Sequence, residues 1–264
     1  MRIGIVGYGV VGKAISKGFK NLGHEVLIHD IKLQTKLDDL INVEIIYICV
    51  PSPSTKKGKC DTRIVEKCVE DLNYIDFNGI IAIKSTVEPG TTEKLIKKFK
   101  KLQICFVPEF LRERCAAEDF IKNHDLLAIG STSKKIITKI KKSHGSYPKK
   151  VSILSPSEAE ILKYFSNSFN AMKIIFANNF YEICQHKNAN YDLILNTFIK
   201  KELNPKDYLS VNKNLRGYGG VCLPKDVKAL KHLAKELKMS LKIFDAIDKD
   251  NKYLKTTVFK GMRD

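Results

Sequence analysis

The sequence predicts an α/β half, a parallel sheet with helices on its faces, followed by an all-helical half built on one long central helix. Three observations carry this reading. Short, mostly β-branched apolar runs alternate with amphipathic stretches up to about residue 155. A glycine-rich turn directly follows the first of those runs. After Pro156 the apolar residues recur instead every three or four positions. Alternating strand and helix implies parallel strands joined by helical crossovers, whereas the later spacing is that of helix alone.

In chain order, Ile3–Val6, Val26–Ile28, Ile45–Val50, Ile80–Ile83, Ile104–Val107, Leu126–Ile129 and Val151–Leu154 read as buried strands. Helical patterns lie between several of them, at 10–22, 62–73, 91–101 and 133–143. From Ser157 to about Lys187 no turn signal interrupts the spacing, so this stretch reads as one helix. Ser157 is its expected N-cap, with Glu158 and Glu160 near the positive end of the helix dipole. Further helices are expected at about 190–201, 225–238 and 241–256. The expected domains are therefore 1–155 and 156–264.

Composition narrows the function classes. A chain of 264 residues with 44% hydrophobic content can bury one large core or two smaller ones. No apolar run approaches the ~20 residues of a membrane span. The N-terminal MRIGIVGYGVVG lacks a small-residue cleavage site and reads as structure. A cytosolic protein with no membrane partner is expected. Seven scattered cysteines without a CxxC pair argue against a disulfide framework and a structural zinc site. The six histidines show no metal spacing, so no metal is expected. The net charge of +17 rests on 40 lysines against 6 arginines. Readers of phosphates and bases favour the arginine fork. The charge therefore reads as a solvated surface that attracts anionic substrate, with no nucleic-acid partner.

The glycine turn is Gly7-x-Gly9-x-x-Gly12, placed between the first strand and the first helix. Gly7 permits the tight turn, Gly9 lets a pyrophosphate approach the backbone, and Gly12 allows close helix–sheet packing. The second strand ends at Asp30, 23 residues past Gly7, near the spacing of a ribose-binding carboxylate. This is the pattern of a Rossmann-like dinucleotide-binding domain. The acid favours NAD over NADP, while Lys32 close by leaves NADP open.

Five landmarks then occur in order: Val50-Pro51-Ser52-Pro53, KSTVEPGTT (Lys84–Thr92), PEFLRE (Pro108–Glu113), Lys163 with Asn167 in KYFSN, and GYGGVCLPKD (Gly217–Asp226). Together they resemble the UDP-glucose/GDP-mannose dehydrogenases. That family oxidises the C6 alcohol of a nucleotide sugar to a carboxylate with two NAD, as from UDP-glucose to UDP-glucuronate. The resemblance implies Cys222 as nucleophile, Lys163 and Asn167 as oxyanion stabilisers, and Asp226 in proton transfer and water activation. It places Thr86 and Glu113 near the nicotinamide and a catalytic water, and Glu109 in acid–base work on the ester. It adds Val11 and Ser52 to the cofactor site, beside Gly7, Gly9, Gly12, Asp30, Thr86 and Glu113. The implied substrate contacts are Glu109, Phe110, Leu111, Arg112, Lys163, Asn167, Lys206 and Gly219.

The chemistry explains the residue types. Two hydride losses from one carbon need a nucleophile to capture the aldehyde between them. A thiolate is that nucleophile, and nearby Lys225 and Lys163 favour its charged form. Lys163 and Asn167 stand four apart, so they share one helical face. A helical pair of Glu109 and Glu113 on the surface is the plain alternative for those two acids.

Three features depart from the resemblance. The family continues into a further nucleotide-holding domain that this stretch of sequence does not contain. Only residues 31–44 separate Asp30 from the next strand, so the cofactor domain reads as trimmed. Lys206 in NPKDY stands where the family has an arginine, which keeps the charge without the bidentate fork. Two other functions fit the same pattern: a two-domain β-hydroxyacid dehydrogenase, and a catalytically silent NAD-binding partner subunit. The apolar face of the long helix, with Ile161, Phe165, Phe169, Met172 and Phe176, reads equally as a homodimer surface or as internal core.

Overall fold

The computed structural model describes residues 1–186, 188–201, 212–213, 216–236 and 242–254. All seven expected strands form: β1 Arg2–Val6, β2 Glu25–His29, β3 Ile45–Ile48, β4 Ile80–Ile83, β5 Gln103–Phe106, β6 Leu126–Gly130 and β7 Lys150–Leu154. They make one sheet in the order β2-β1-β3-β4-β5-β6-β7. The helices α1 Val10–Asn21, α2 Arg63–Tyr74, α3 Thr91–Lys98 and α5 Lys134–His144 match the sequence pattern. A short helix, α4 Ala116–Ile121, was not expected.

The parallel sheet expected from the sequence forms, with one antiparallel seam. β5 and β6 run antiparallel, joined at Phe106↔Gly130, while every other neighbouring pair is parallel. Between them lie an irregular loop, a 3-10 turn at Glu113–Cys115 and α4. Six helical residues rise only about 9 Å, and no full crossover helix returns the chain to the far end of the sheet.

Residue alternation along the strands builds two cores. Ile45 and Tyr47 of β3 join one apolar cluster, closed by Ile15 and Phe19 of α1 and Ile136 and Ile140 of α5. Ile46 and Ile48 join the other, closed by Val65 and Val69 of α2 and Leu95 of α3. A sheet covered on both faces explains why these strands read as unbroken apolar runs. The result is a Rossmann-like domain. The chain goes out from β1 to β2 and then crosses back to β3, so the switch in winding lies at the carboxyl ends of β1 and β3. Ligands of such sheets bind at that point.

Two histidines pack at the first core, His124 only half-buried. His144 is fully buried, and its ring packs against Phe19 and, at 5.5 Å between centroids, against His124. His144 Nδ1 lies 2.9 Å from the Ile140 carbonyl oxygen. Burial holds His144 well below the usual histidine range and pushes His124 down to about 4, with the Lys84 charge adding to both effects. Both rings are therefore neutral in the fold at neutral pH, while the unfolded chain takes up protons near pH 6.5. Their contribution is fully present above that pH and is lost as pH falls from about 6.5 through about 4. Urea unfolding is expected to show stability falling below pH 6.5, by up to about 1.4 kcal/mol per pH unit for each histidine. His144→Asn should remove one proton from that slope.

Contacts divide the chain into two compact units, residues 1–53 with 61–163 and residues 54–60 with 164–264. The division falls inside α6 Pro156–His186, the long helix expected from the sequence. Its N-cap is Ser155 rather than Ser157. Ser155 N donates to Glu158 Oε2 at 2.7 Å, and Glu158 N donates to Ser155 Oγ at 3.3 Å. This is a reciprocal capping box, with Pro156 in the first helical position, where its missing N–H costs nothing. Glu160 is taken up elsewhere. Its buried carboxylate accepts from the backbone N–H groups of Gly90 (2.5 Å) and Thr92 (2.8 Å) at the start of α3.

The second unit contains most of α6 together with α7 Tyr191–Lys201, α8 Cys222–Glu236 and α9 Lys242–Tyr253. Ala171 and Ile175 of α6, Tyr218, Val227 of α8 and Ile247 of α9 form its core. A small antiparallel bridge, Ser54↔Cys60, belongs to this unit, where Cys60 packs with Tyr164 and Ala229.

Candidate active site

In the first unit the glycine turn has the geometry of an anion cradle. Gly7 adopts φ +94°, and a Cβ there would stand 2.7 Å from the Cys49 carbonyl oxygen. A Cβ on Gly12 would stand 2.0 Å from the Gly7 carbonyl oxygen, so only glycine lets α1 approach so closely. A Cβ on Gly9 would meet nothing within 4 Å. Gly9 caps α1, whose first amides have no acceptor within the helix. The side chain of Val11 packs towards the core, which leaves its amide as the group available to a ligand. Asp30 closes the turn: Tyr8 N donates to its Oδ2 at 2.6 Å and Lys32 N to its Oδ1 at 2.8 Å. These backbone donors hold its carboxyl below the usual range, so it is an anion at neutral pH.

The loops after β3, β4 and β5 follow at the same end of the sheet. Ser85 Oγ donates to the Val50 carbonyl at 2.7 Å, tying the loop of the buried Thr86 to the loop of the buried Ser52. Residues 107–112 are irregular, so Glu109 and Glu113 do not form the helical pair weighed above. Glu109 turns inward and is 8% exposed, whereas Glu113 begins a 3-10 turn and is half-buried. Lys163 Nζ, 3% exposed, donates to the Glu109 carbonyl at 2.6 Å and to its Oε1 at 3.1 Å. Leu111 N donates to Glu109 Oε2 at 2.8 Å, and Phe110 places its ring 5.8 Å from Lys163 Nζ. Arg112 makes a bidentate pair with Asp119 at 3.0 and 2.7 Å, which pins the end of the loop.

Two supporting residues escaped the sequence reading. Lys84 is fully buried at the end of β4, donates to the Val107 carbonyl at 3.3 Å and so anchors the loop that carries Glu109. Burial holds its ammonium below the usual lysine range and pushes the neighbouring Cys49 and Cys105 thiols up to about 12. A lysine closing the apolar run IIAIK was the available signal. Asp119 meets Arg112 across an irregular stretch and a 3-10 turn, so no single periodicity relates the two and it carried none.

The second unit carries the cysteine motif and Asn167. Cys222 is half-buried and is the first residue of α8, behind Gly220 at φ +75°. Because the segment is helical, Asp226 follows one turn later. Asp226 is fully buried; Asn167 Nδ2 donates to its Oδ2, and Lys225 Nζ lies 3.2 Å from its Oδ1. Gly219 lies in the irregular segment just before α8. Lys163 and Asn167 both lie on α6, four residues apart, and both are buried. Lys206 lies outside the described residues. Among the described residues no group of three His, Cys, Asp or Glu is placed to hold a metal, and no helix is long and apolar enough to cross a membrane.

Two family models match this chain: the UDP-glucose/GDP-mannose dehydrogenase family NAD binding domain over residues 32–146, and the central domain of the same family over residues 157–253. The chain belongs to the UDP-glucose/GDP-mannose dehydrogenase family. The UDP-glucose 6-dehydrogenase of Rickettsia prowazekii is 32% identical over 220 residues, which are 80% of this chain and 50% of that protein. UDP-glucose 6-dehydrogenase TuaD of Bacillus subtilis is 31% identical over 216 residues, 79% of this chain and 46% of that protein. The chain thus spans about half the length of the curated relatives it matches. Among solved structures, a UDP-glucose dehydrogenase from Pyrobaculum islandicum superposes with a TM-score of 0.86 at 24% identity, over 96% of this chain and 68% of that one. The 3-hydroxyisobutyrate dehydrogenase of Mycobacterium tuberculosis shares the fold, with a TM-score of 0.76 at 11% identity, over 96% and 93%. The expected cofactor, NAD, agrees with the family's NAD-binding domain.

The open space at Gly9 and the crowding at Gly12 give opposite expectations within one motif. Gly9→Ala should change unfolding free energy by less than about 0.5 kcal/mol, yet weaken NAD binding measured by calorimetric titration. Gly12→Ala drives a methyl group into a carbonyl and should destabilise by about 3 kcal/mol in urea unfolding.

Proposed function

We propose that this chain acts as an NAD-dependent nucleotide-sugar 6-dehydrogenase that converts UDP-glucose to UDP-glucuronate through a covalent intermediate on Cys222. The observation that carries the proposal is the placement of Cys222 as the first residue of α8, one turn before the buried Asp226 that Asn167 holds. A single alcohol oxidation has no use for that arrangement. The names of the relatives favour UDP-glucose as the substrate.

Bound at the glycine turn, NAD supplies the hydride acceptor, once for each oxidation. The residues of this chain do the rest. Loss of a hydride and a proton from the C6 alcohol leaves an aldehyde. The Cys222 thiolate adds to it, and a proton goes to the oxygen, giving a thiohemiacetal. A second loss of hydride and proton gives a thioester, and water cleaves it to the carboxylate and the free thiol. Lys163 and Asn167 stabilise the developing oxyanions. Asp226 assists proton transfer and activates the hydrolytic water. Glu109, joined to Lys163, serves as acid and base on the ester, and Thr86 and Glu113 attend the nicotinamide and the water. Ser52 and Val11 complete the cofactor contacts. Phe110, Leu111, Arg112, Lys206 and Gly219 hold the substrate, with the loop at Arg112 pinned by Asp119 through both guanidinium and backbone N–H.

Seven scattered cysteines without a CxxC pair suit a reducing compartment, and we place the protein in the cytoplasm. Ile161, Phe165, Phe169 and Phe176 of α6 are exposed, and Phe165 and Phe169 stack at 6.5 Å. We assign that face to a homodimer, which would cover it. Met172 instead packs against the internal core.

The test is NADH formation with UDP-glucose and GDP-mannose in parallel, counted against sugar consumed. Two NADH per UDP-glucose support the proposal. A second reading, a one-step β-hydroxyacid dehydrogenase, is favoured by the near full-length match in fold to the 3-hydroxyisobutyrate enzyme. It predicts one NADH per hydroxyacid and none from either sugar nucleotide. NAD binding without turnover of any of them identifies a silent partner subunit.

A further inference from the structure

The segment that leads into Cys222 is held by two side-chain amides from different helices. Gly217 and Gly220 adopt φ +64° and +75°, so the chain between them belongs to neither helix nor strand. Its backbone groups therefore need other partners. On one side, Asn178 of α6 is 2% exposed, and its Oδ1 accepts from Arg216 Nε at 2.7 Å and from Gly217 N at 3.4 Å. Asn178 is itself tied down, donating through Nδ2 to the Ile174 carbonyl at 2.8 Å. On the other side, Asn251 of α9 grips Tyr218 at both of its peptide groups. Asn251 Oδ1 accepts from Tyr218 N at 2.8 Å, and Asn251 Nδ2 donates to the Tyr218 carbonyl at 2.9 Å. The Tyr218 ring is buried in the core between α6, α8 and α9. Contact is so close that a Cβ on Gly217 would stand 2.8 Å from Asn251 Oδ1 and 2.9 Å from the Leu254 carbonyl oxygen.

Hydrophobic packing alone would bury Tyr218. It would not set the direction in which the chain leaves it. A two-point amide pairing does set that direction, because both peptide groups of Tyr218 are fixed in orientation. Four residues later the chain enters α8 at Cys222.

We propose that Asn251, with Asn178 opposite, is a positioning residue for the Cys222 thiol: it fixes the backbone at Gly217–Tyr218 so that α8 begins at the cysteine. The importance of that thiol rests on the function proposed above. The positioning itself does not need turnover to be measured.

The test uses the full chain and follows alkylation of Cys222 by iodoacetamide across pH, read by peptide mass spectrometry. Two variants open the clamp from opposite sides. Asn251→Ala removes the amide, and Gly217→Ala pushes a methyl group against it while leaving α9 unchanged. In both, with helical circular dichroism retained, the Cys222 profile should move to higher pH and the rate at pH 7 should fall about tenfold, as the sulfur loses its place at the helix start. A parent profile unlike that of a free cysteine, unmoved in either variant, overturns the positioning role alone. A parent profile like that of a free cysteine overturns the nucleophile assignment and this proposal with it. Loss of helical structure in both variants assigns the amides to the fold as a whole and overturns the proposal as well.

Discussion

Cys222→Ser is expected to abolish formation of the carboxylate from UDP-glucose, by roughly 10³-fold or more, while NAD binding is retained. The reason is electronic. A free aldehyde is a poor hydride donor, and an addition must precede the second oxidation. A serine hydroxyl has too little anionic character at neutral pH to make that addition, whereas a thiolate at the start of a helix has it. The hydroxyl is smaller than the thiol, and position 222 is only half-buried, so the fold should be untouched. NADH per sugar should drop from two to at most one. Undiminished acid formation by the serine variant, measured by product chromatography, would sink the covalent route.

Lys163→Met should cost stability heavily as well as ending turnover. Lys163 and Glu109 form an ion pair at 3% and 8% side-chain exposure. Removing the ammonium leaves a buried carboxylate without its main partner, a change that costs about 3–5 kcal/mol. Leu111 N still donates to the carboxylate, and the nearby buried Lys84 still offers positive charge, so the lower end of that range is expected. Urea unfolding measures it. The double change Lys163→Met with Glu109→Leu should restore most of the stability, because no uncompensated charge remains, and none of the activity. A single variant as stable as the parent would mean that the pair is solvated and that the loop at Pro108–Glu113 is held by something else.

The legible parts of this protein were those written in local spacing. The inner strands are apolar runs between polar boundaries, kept unbroken because the sheet is covered on both faces. By contrast β7, expected to be buried, lies at the sheet edge with Val151 and Ile153 exposed. The glycine motif was legible because the steric demand at Gly7 and Gly12 is absolute, and the long helix because its period holds for 31 residues. Less legible was anything that turned on a choice among equals. Ser155 and Ser157 both precede a suitable acid, and the cap went to Ser155 because Pro156 fits the first helical position and Glu160 was drawn to α3. The antiparallel seam at Phe106↔Gly130 depends on what lies between β5 and β6, which no periodicity reports.

By itself the sequence determined the order of elements and the cofactor turn, and it supplied the residue types on which the proposed thiol chemistry rests, because these follow from backbone sterics and from motifs at short spacing. Only the tertiary structure decided which charges are buried together. Glu109 finds Lys163 across 54 positions, and Asp226 finds Asn167 across 59. Partners that far apart in the chain are chosen by the cost of leaving a buried charge alone, and that cost exists only once the core has closed around it.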